Sequence, residues 1–395
     1  MTVLNSWQKL DRVLSGKPFG DGSSGNATIS SDPATRASLT TVASGETAIT
    51  IGTAILSNGD VFALYQARGT GVGQWEINKV ASGGGSTSIV CSKALQYSYS
   101  TTGANVAQVI KIPQYDEVTL SNFTVGAWDG EKNGITFIVG KTSIGGTGTL
   151  TFAGGNGAAS AGGSGQTVAG GTGGGFRGGI GRNASAGDQG EGSAGAGSAT
   201  NSANGNGGGG GITTPSDGSG GGGGGNGAAG SVSTGSTQVA AGGEAVGSVD
   251  LVTMVLGGGG GGAYKQQTNP TASGGSGAAA IVLISKAIDI SSMTLINLNG
   301  GNGGVPSGGA TGGGGGSGGA CLVVCQTAVL GTNKITASAG TGGNSGQYDG
   351  GNGSVGRIAI HHLGTVTGTT TPTFEDVEDT SLVESGGDSN NIMFM

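Results

Sequence analysis

Apolar positions along this chain change rhythm from one region to the next. Trp7, Leu10, Val13 and Leu14 recur at helical spacing, with Asn5 placed as an N-cap, Gln8 at the third helical position, and Gly16 then Pro18 as the stop. The spacing predicts one short helix over 5–16, marginal on its own. Its stripe docks either on its own domain or on a second copy or larger assembly. Trp7, Leu10, Val13 and Leu14 are therefore the candidates for attachment and oligomerisation. From Asn26 to about Asn133 the rhythm becomes that of strands: Ala48-Ile-Thr-Ile, Val61-Phe-Ala-Leu-Tyr, Gln74-Trp-Glu-Ile and Ala107-Gln-Val-Ile-Lys-Ile, with Gly, Asn and Asp at the turns. Phe62, Trp75, Tyr97, Tyr99, Tyr115 and Trp128 supply the aromatics of an ordinary side-chain core in this stretch.

A cassette then recurs. Gly134 to Gly157, Gly277 to Gly304 and Gly318 to Gly343 each read as a buried strand, a polar turn, a second short strand and a run of glycines. The second and third copies align at an offset of about 40 residues, the mark of stacked repeats sharing one core. A partial fourth strand, Arg357-Ile-Ala-Ile-His-His, ends the array.

Glycine changes this picture. It supplies 94 of the 395 residues and is concentrated in tracts from the end of the first cassette onward. A tract such as Gly207 to Gly211 or Gly220 to Gly225 has no side chain to bury. It either stays disordered or packs backbone against backbone. Only seven prolines are present, and compact β-branched runs such as Ile281-Val282-Leu283-Ile284 interrupt the tracts, which favours order. No regular Gly-X-Y register persists, so collagen is excluded. Extended polyglycine helices, with about three residues per turn and no internal hydrogen bonds, are the ordered alternative when several lie side by side.

The expected fold is mainly β: a short N-terminal helix and a small β module, followed by a glycine-rich body packed as a β-solenoid or in polyglycine II fashion. The divisions are an attachment segment over 1–25, the all-β module over 26–133, the repeat body over 134–365 and an acidic tail over 366–395.

Charge and motifs narrow the chemistry. The net charge is −7, and the 16 Lys and Arg form no cluster, which excludes the footprint of a nucleic-acid binder. No apolar run reaches the roughly 18 to 20 residues needed to span a bilayer. The amino terminus lacks the basic and apolar regions of a secretory signal, and a cytosolic assembly site is expected. Cys321 and Cys325 lie roughly 13 Å apart on a predicted strand, too far to bridge, and with Cys91 they read as small core hydrophobes. Gly-x-Gly-x-x-Gly matches carry no information at this glycine frequency. His361 and His362 point to opposite faces of a strand, and no Cys or His cluster has zinc spacing. Neither a cofactor, a metal nor a catalytic residue is expected, and the chain reads as a non-enzyme.

Recognition remains. Side chains set among glycines are displayed on tight turns, and aromatic and Arg groups are the usual anchors of binding. Phe176, Arg177, Arg182, Tyr264, Lys265, Gln266, Gln267 and Tyr348 are the candidates for receptor contact. The alternative for Phe176 and Tyr264 is that they cap the edge of the glycine packing.

Three features resemble phage tail proteins of the fibre or receptor-binding kind. The opening Trp7 to Ser31, with Phe19-Gly-Asp-Gly-Ser-Ser-Gly-Asn-Ala-Thr-Ile-Ser, is similar to the start of many phage structural proteins. The glycine-rich portion resembles the polyglycine-helix tip adhesins of some long tail fibres. The cassettes from Gly277 to Arg357 resemble glycine-rich β-helical bacterial surface proteins. The resemblance implies a virion protein assembled in the host cytoplasm. Its partners would be itself as a homotrimer, other tail or baseplate proteins, and a host surface protein or polysaccharide. An architectural or decorating subunit without its own receptor, or a bacterial glycine-rich surface protein, is the alternative.

Overall fold

The computed structural model describes residue 14 and residues 17–162, 165–212, 218–235, 238–266, 269–306 and 311–383. Every regular element among them is a strand. The helix expected over 5–16, with Trp7, Leu10 and Val13, lies outside the described residues. Leu14 is described, and it is buried in a core cluster of its own chain with Phe19 and Trp75.

Residues 36–111 form a small antiparallel barrel. Its strand order is Arg36–Ser38, Val106–Lys111, Val61–Arg68, Trp75–Ser82, Ser88–Cys91 and Ala48–Thr50. A bridge between Leu39 and Ile51 draws the first and last strands together. Along Val61–Arg68 the period of two separates two cores. Phe62 and Leu64 point into the barrel, and Val61, Ala63, Tyr65 and Ala67 pack outward on the rest of the molecule. All eight residues of this strand are buried, which is why its sequence lacks the polar alternation of a half-exposed strand.

The cassettes stack as an eleven-stranded, largely parallel sheet. Ile135 pairs with Ala280, Ala280 with Ala320, and Ala320 with Arg357, so the repeats align in the register their sequences suggest. Both faces of the sheet's central strands, over 135–140, 280–285 and 320–325, are buried. Phe137, Val282 and Leu322 face the barrel, while Ile138, Ile281 and Val323 face a second layer that includes Leu150, Ile296 and Ile335. A continuous β-solenoid is not what results. After Thr151 the chain leaves the stack for the glycine-rich region and returns only at Ala280, so neighbouring strands come from distant parts of the sequence. The segment expected to be an acidic tail also supplies strands: Val366–Thr371 pairs with Ala320–Thr336, and Glu375–Glu378 pairs with Arg357–His362. An exposed edge strand tolerates acidic side chains, so composition did not distinguish it from a solvated tail.

The glycine-rich body is ordered by its backbone. Residues 257–262 show how. Gly257 and Gly260 donate to Ala278 and Gly275, Gly258 and Gly261 donate to Gly225 and Gly222, and Gly259 and Gly262 donate to Glu191 and Asp188. Their carbonyls accept from Phe176 and Gly179, from Gly208 and Gly211, and from Gly314 and Ser317. Each donor therefore turns to a new neighbour and returns to the first after three residues, and the row has six neighbours, all hydrogen-bonded to it. A Cβ on Gly260 would stand 2.2 Å from the Gly314 carbonyl oxygen, and one on Gly261 would stand 1.8 Å from that of Gly209. No side chain fits between such rows, which accounts for the glycine tracts. Where the rows meet the hydrophobic core, buried asparagines take the remaining groups. Asn206 Nδ2 donates to Gly225 and Leu256 at 3.1 and 2.9 Å, and Asn226 Nδ2 donates to Val255 and Gly318 at 3.3 and 3.1 Å.

Barrel and glycine body are joined by the outward barrel face and by one ionic cluster. Trp75, Leu251, Met254 and Val255 share a hydrophobic core. Beside it the buried Glu191 carboxylate receives Arg68 Nη1 on one oxygen and Arg177 Nε at 2.8 Å on the other.

Candidate functional site

The glycine rows have two unlike ends. At the core end Phe176 donates to Gly257, and Gly257 donates to Ala278. At the far end Arg182 donates to Ala263, and Ala263 donates to Ala272. Here short paired segments, Thr167–Val168, Gly181–Arg182, Tyr264–Lys265 and Gly218–Ser219, tie the rows into a rim. Arg182 pairs with Tyr264, and Gly218 with Lys265. Bridges from Thr271 to Thr311 and from Thr311 to Tyr348 extend the rim across two more rows.

Residues far apart in sequence thus meet at one end. Arg182, Tyr264, Lys265 and Tyr348, four of the residues singled out as recognition candidates, lie on this rim. Gln266 follows them, half-buried, and Gln267 lies outside the described residues. Arg182 is held by Asp188, with Nη2 to Oδ2 at 2.8 Å and Nε to Oδ1 at 3.2 Å, and this hydrogen-bonded carboxylate raises the guanidinium pKa. Tyr264 is buried, and its burial lifts the phenol above its ordinary range. Lys265 Nζ donates to Gln347 Oε1 at 3.0 Å and stands 5.0 Å from the centre of the Tyr348 ring.

Phe176 and Arg177 lie elsewhere. Phe176 is fully buried at the core end, edge-on to Trp128 with ring centroids 5.7 Å apart. Its place in a glycine tract suggested display on a turn. The tract instead leads back to the hydrophobic core, where a large aromatic fills space. Arg177 serves the Glu191 cluster. A cleft of about 350 Å³ opens on the flank of the body beside Arg177, Ile180, Asp188 and Gln189. There Arg177 and Asp188 already hold their partners. Asp188 and Gln347 were not singled out from the sequence. The signal for Asp188 was a lone carboxylate a short loop after Arg182, and that for Gln347 was its place beside Tyr348.

Among the described residues no group of three or more His, Cys, Asp or Glu is placed to hold a metal ion, and no helix is long and apolar enough to cross a membrane. Cys91, Cys321 and Cys325 are all buried thiols.

No family model matches this chain. No curated protein matches it in sequence either. Among solved structures, the tailspike protein gp49 from Pseudomonas phage LKA1 aligns with 31% of this chain and 22% of its own, at 14% identity and a TM-score of 0.20. The chain therefore spans about a fifth of the length of that tailspike, and a likeness at this level carries no inference about fold or function.

Proposed function

We propose that this is a non-enzymatic structural protein of a phage tail, a fibre or receptor-binding protein, that contacts the host cell surface through the rim of a polyglycine II body. The observation that carries this reading is the convergence of Arg182, of the adjacent Tyr264 and Lys265, and of Tyr348 from three separate segments at the end remote from the core. The three-residue rotation of donors in the rows supports the polyglycine II assignment. Such a body is stiff because its neighbours are fixed by hydrogen bonds in six directions, and a stiff support suits a recognition surface. Leu14, Phe19 and Leu382 all seat in the core cluster opposite the rim, which leaves that side to attach to the particle and the rim to face outward. Self-association as a trimer belongs to the same reading and is checked by solution mass before and after deletion of residues 1–16.

The test is adsorption. Particles carrying Arg182→Ala together with Tyr348→Ala are expected to assemble normally and to adsorb to host cells several-fold more slowly. Normal adsorption by assembled particles would remove the rim from the contact surface. A second reading, an architectural subunit without its own receptor, is favoured by the internal pairing of Arg182 with Asp188. Particles lacking the protein separate the two readings: altered morphology with normal adsorption supports the architectural one.

A further inference from the structure

Lys265 is unusual among the charged groups of the body. It is only 5% exposed, yet among the described residues its ammonium meets no carboxylate. Its two partners are neutral: the amide oxygen of Gln347 and the face of Tyr348. Arg68, Arg177 and Arg182 each have a carboxylate partner, in a chain whose net charge is −7. A buried cation without a counter-anion is costly, and the strongest partner available to it is an anionic oxygen. The lattice keeps a place for this side chain. A Cβ on Gly218 would come within 3.0 Å of Lys265 Cδ, so glycine at that position clears the path of the stem. Gln347 itself is exposed, and its amide oxygen occupies the place of an anion without carrying the charge. An exposed neutral acceptor is readily displaced by a charged one.

We infer that Lys265 is an anion site, and that the rim recognises a carboxylate or phosphate group on a surface glycan, which displaces the Gln347 amide from the ammonium. The half-buried Tyr348 ring stands 5.0 Å from the ammonium and flanks the site with apolar surface for the sugar bearing the anion. The inference rests on the rim as the contact surface and deepens it by naming the ligand class.

Purified full-length protein is tested against three polymers: polygalacturonate for the carboxylate, a phosphomannan for the phosphate, and dextran as the neutral control. Binding to one or both anionic polymers and not to dextran is expected. Lys265→Met should weaken that binding about tenfold or more, the loss typical of one charge-assisted hydrogen bond. Lys265→Arg should retain much of it. Gln347→Glu is the sharper variant, because it supplies the missing anion internally. It should raise the melting temperature and abolish binding together. The ligand should likewise raise the melting temperature of the wild type and leave that of Lys265→Met unmoved. A purely structural Lys265 gives the opposite pattern, with Lys265→Met less stable and polymer binding unchanged, and that result overturns the inference. So does anionic binding that survives Gln347→Glu, equal binding of dextran, or absence of binding to any of the three. Adsorption to host cells is measured in parallel. Cell binding that depends on Arg182 and Tyr348 but ignores Lys265→Met rejects the anion site alone, whereas cell binding indifferent to all three rejects the rim.

Discussion

In the barrel, Phe62, Leu64, Val80, Ile89 and Val109 fill an interior with side chains, and hydrogen bonds close the strands around them. In the glycine body nothing is enclosed. Along row 257–262 the contact with the neighbouring rows is carbonyl against Cα, and the side chain that enters, Ser317, is small enough for its Oγ to accept from the Gly258 amide at 2.8 Å. The first solution rests on apolar area removed from water. The second rests on many hydrogen bonds, each contributing about 1 kcal/mol net, together with close packing of backbone atoms. The two respond oppositely to the same perturbation. A side-chain core tolerates small changes of volume, while a backbone lattice has no slack to absorb even one methyl group.

The contrast breaks most visibly at Gly260. Gly260→Ala places a methyl group 2.2 Å from the Gly314 carbonyl oxygen, and the loss is expected to exceed about 4 kcal/mol, seen as failure to fold or as a collapsed urea midpoint. A Gly260→Ala protein that unfolds like the wild type would contradict the six-neighbour packing. Next is the joint between the two regions. Glu191→Ala leaves the buried Arg68 without its carboxylate and should cost about 3 to 5 kcal/mol. Hydrogen exchange should show the loss first at the Gly69 amide, which bonds to Ser193 across the joint. Within the barrel, Phe62→Ala is expected to cost about 3 to 5 kcal/mol by opening a cavity. In that variant residues 36–111 should exchange faster while the glycine rows keep their protection.

The parallel sheet provides a pH test. Burial pushes the Cys321 and Cys325 thiols up to about 12 from an ordinary 9.0. In the unfolded chain these thiols ionise near the ordinary value, so the unfolded state loses protons first as pH rises. Their contribution is complete below about pH 9 and is lost progressively toward pH 12, at roughly 1.4 kcal/mol per thiol per pH unit. Urea midpoints between about pH 8 and 11 should fall more steeply for the wild type than for a Cys321→Ala, Cys325→Ala variant. The smallest effect is expected at Gly85, in a barrel turn, where φ is +84° and no atom lies within 4 Å of the place a Cβ would take. Gly85→Ala should cost only about 1 kcal/mol, the penalty of a left-handed alanine. The same substitution is thus mild in one region and prohibitive in the other.

Legibility in the sequence follows the same division. The strands of the barrel and the register of the cassettes were readable because β-branched and aromatic residues mark them, down to the pairing of Ala280 with Ala320. The neighbours of a glycine row were not readable, since glycine carries no pattern that names its partner. That gap hid the rim. Arg182, Tyr264, Lys265 and Tyr348 stood out individually as large side chains among glycines, but only the course of the rows brings them to one end. Phe176 stood out for the same reason and belongs to the core, because sequence does not show which end of a row a residue occupies. The strands Val366–Thr371 and Glu375–Glu378 were obscured by their threonines and acids, which suit an exposed edge as well as a tail.

The three-residue return of the donors also limits how the body can change length. Adding one residue to row 257–262 would turn everything beyond it by a third of a revolution and aim each amide at the wrong neighbour. Adding three would restore every partner and lengthen the row by roughly 9 Å. Insertions and deletions inside the body are therefore admissible only in triplets, made in concert by adjacent rows, whereas the turns that join rows at the rim are free of that arithmetic. Length is quantised where the rows pack, and variation is left to the surface they carry.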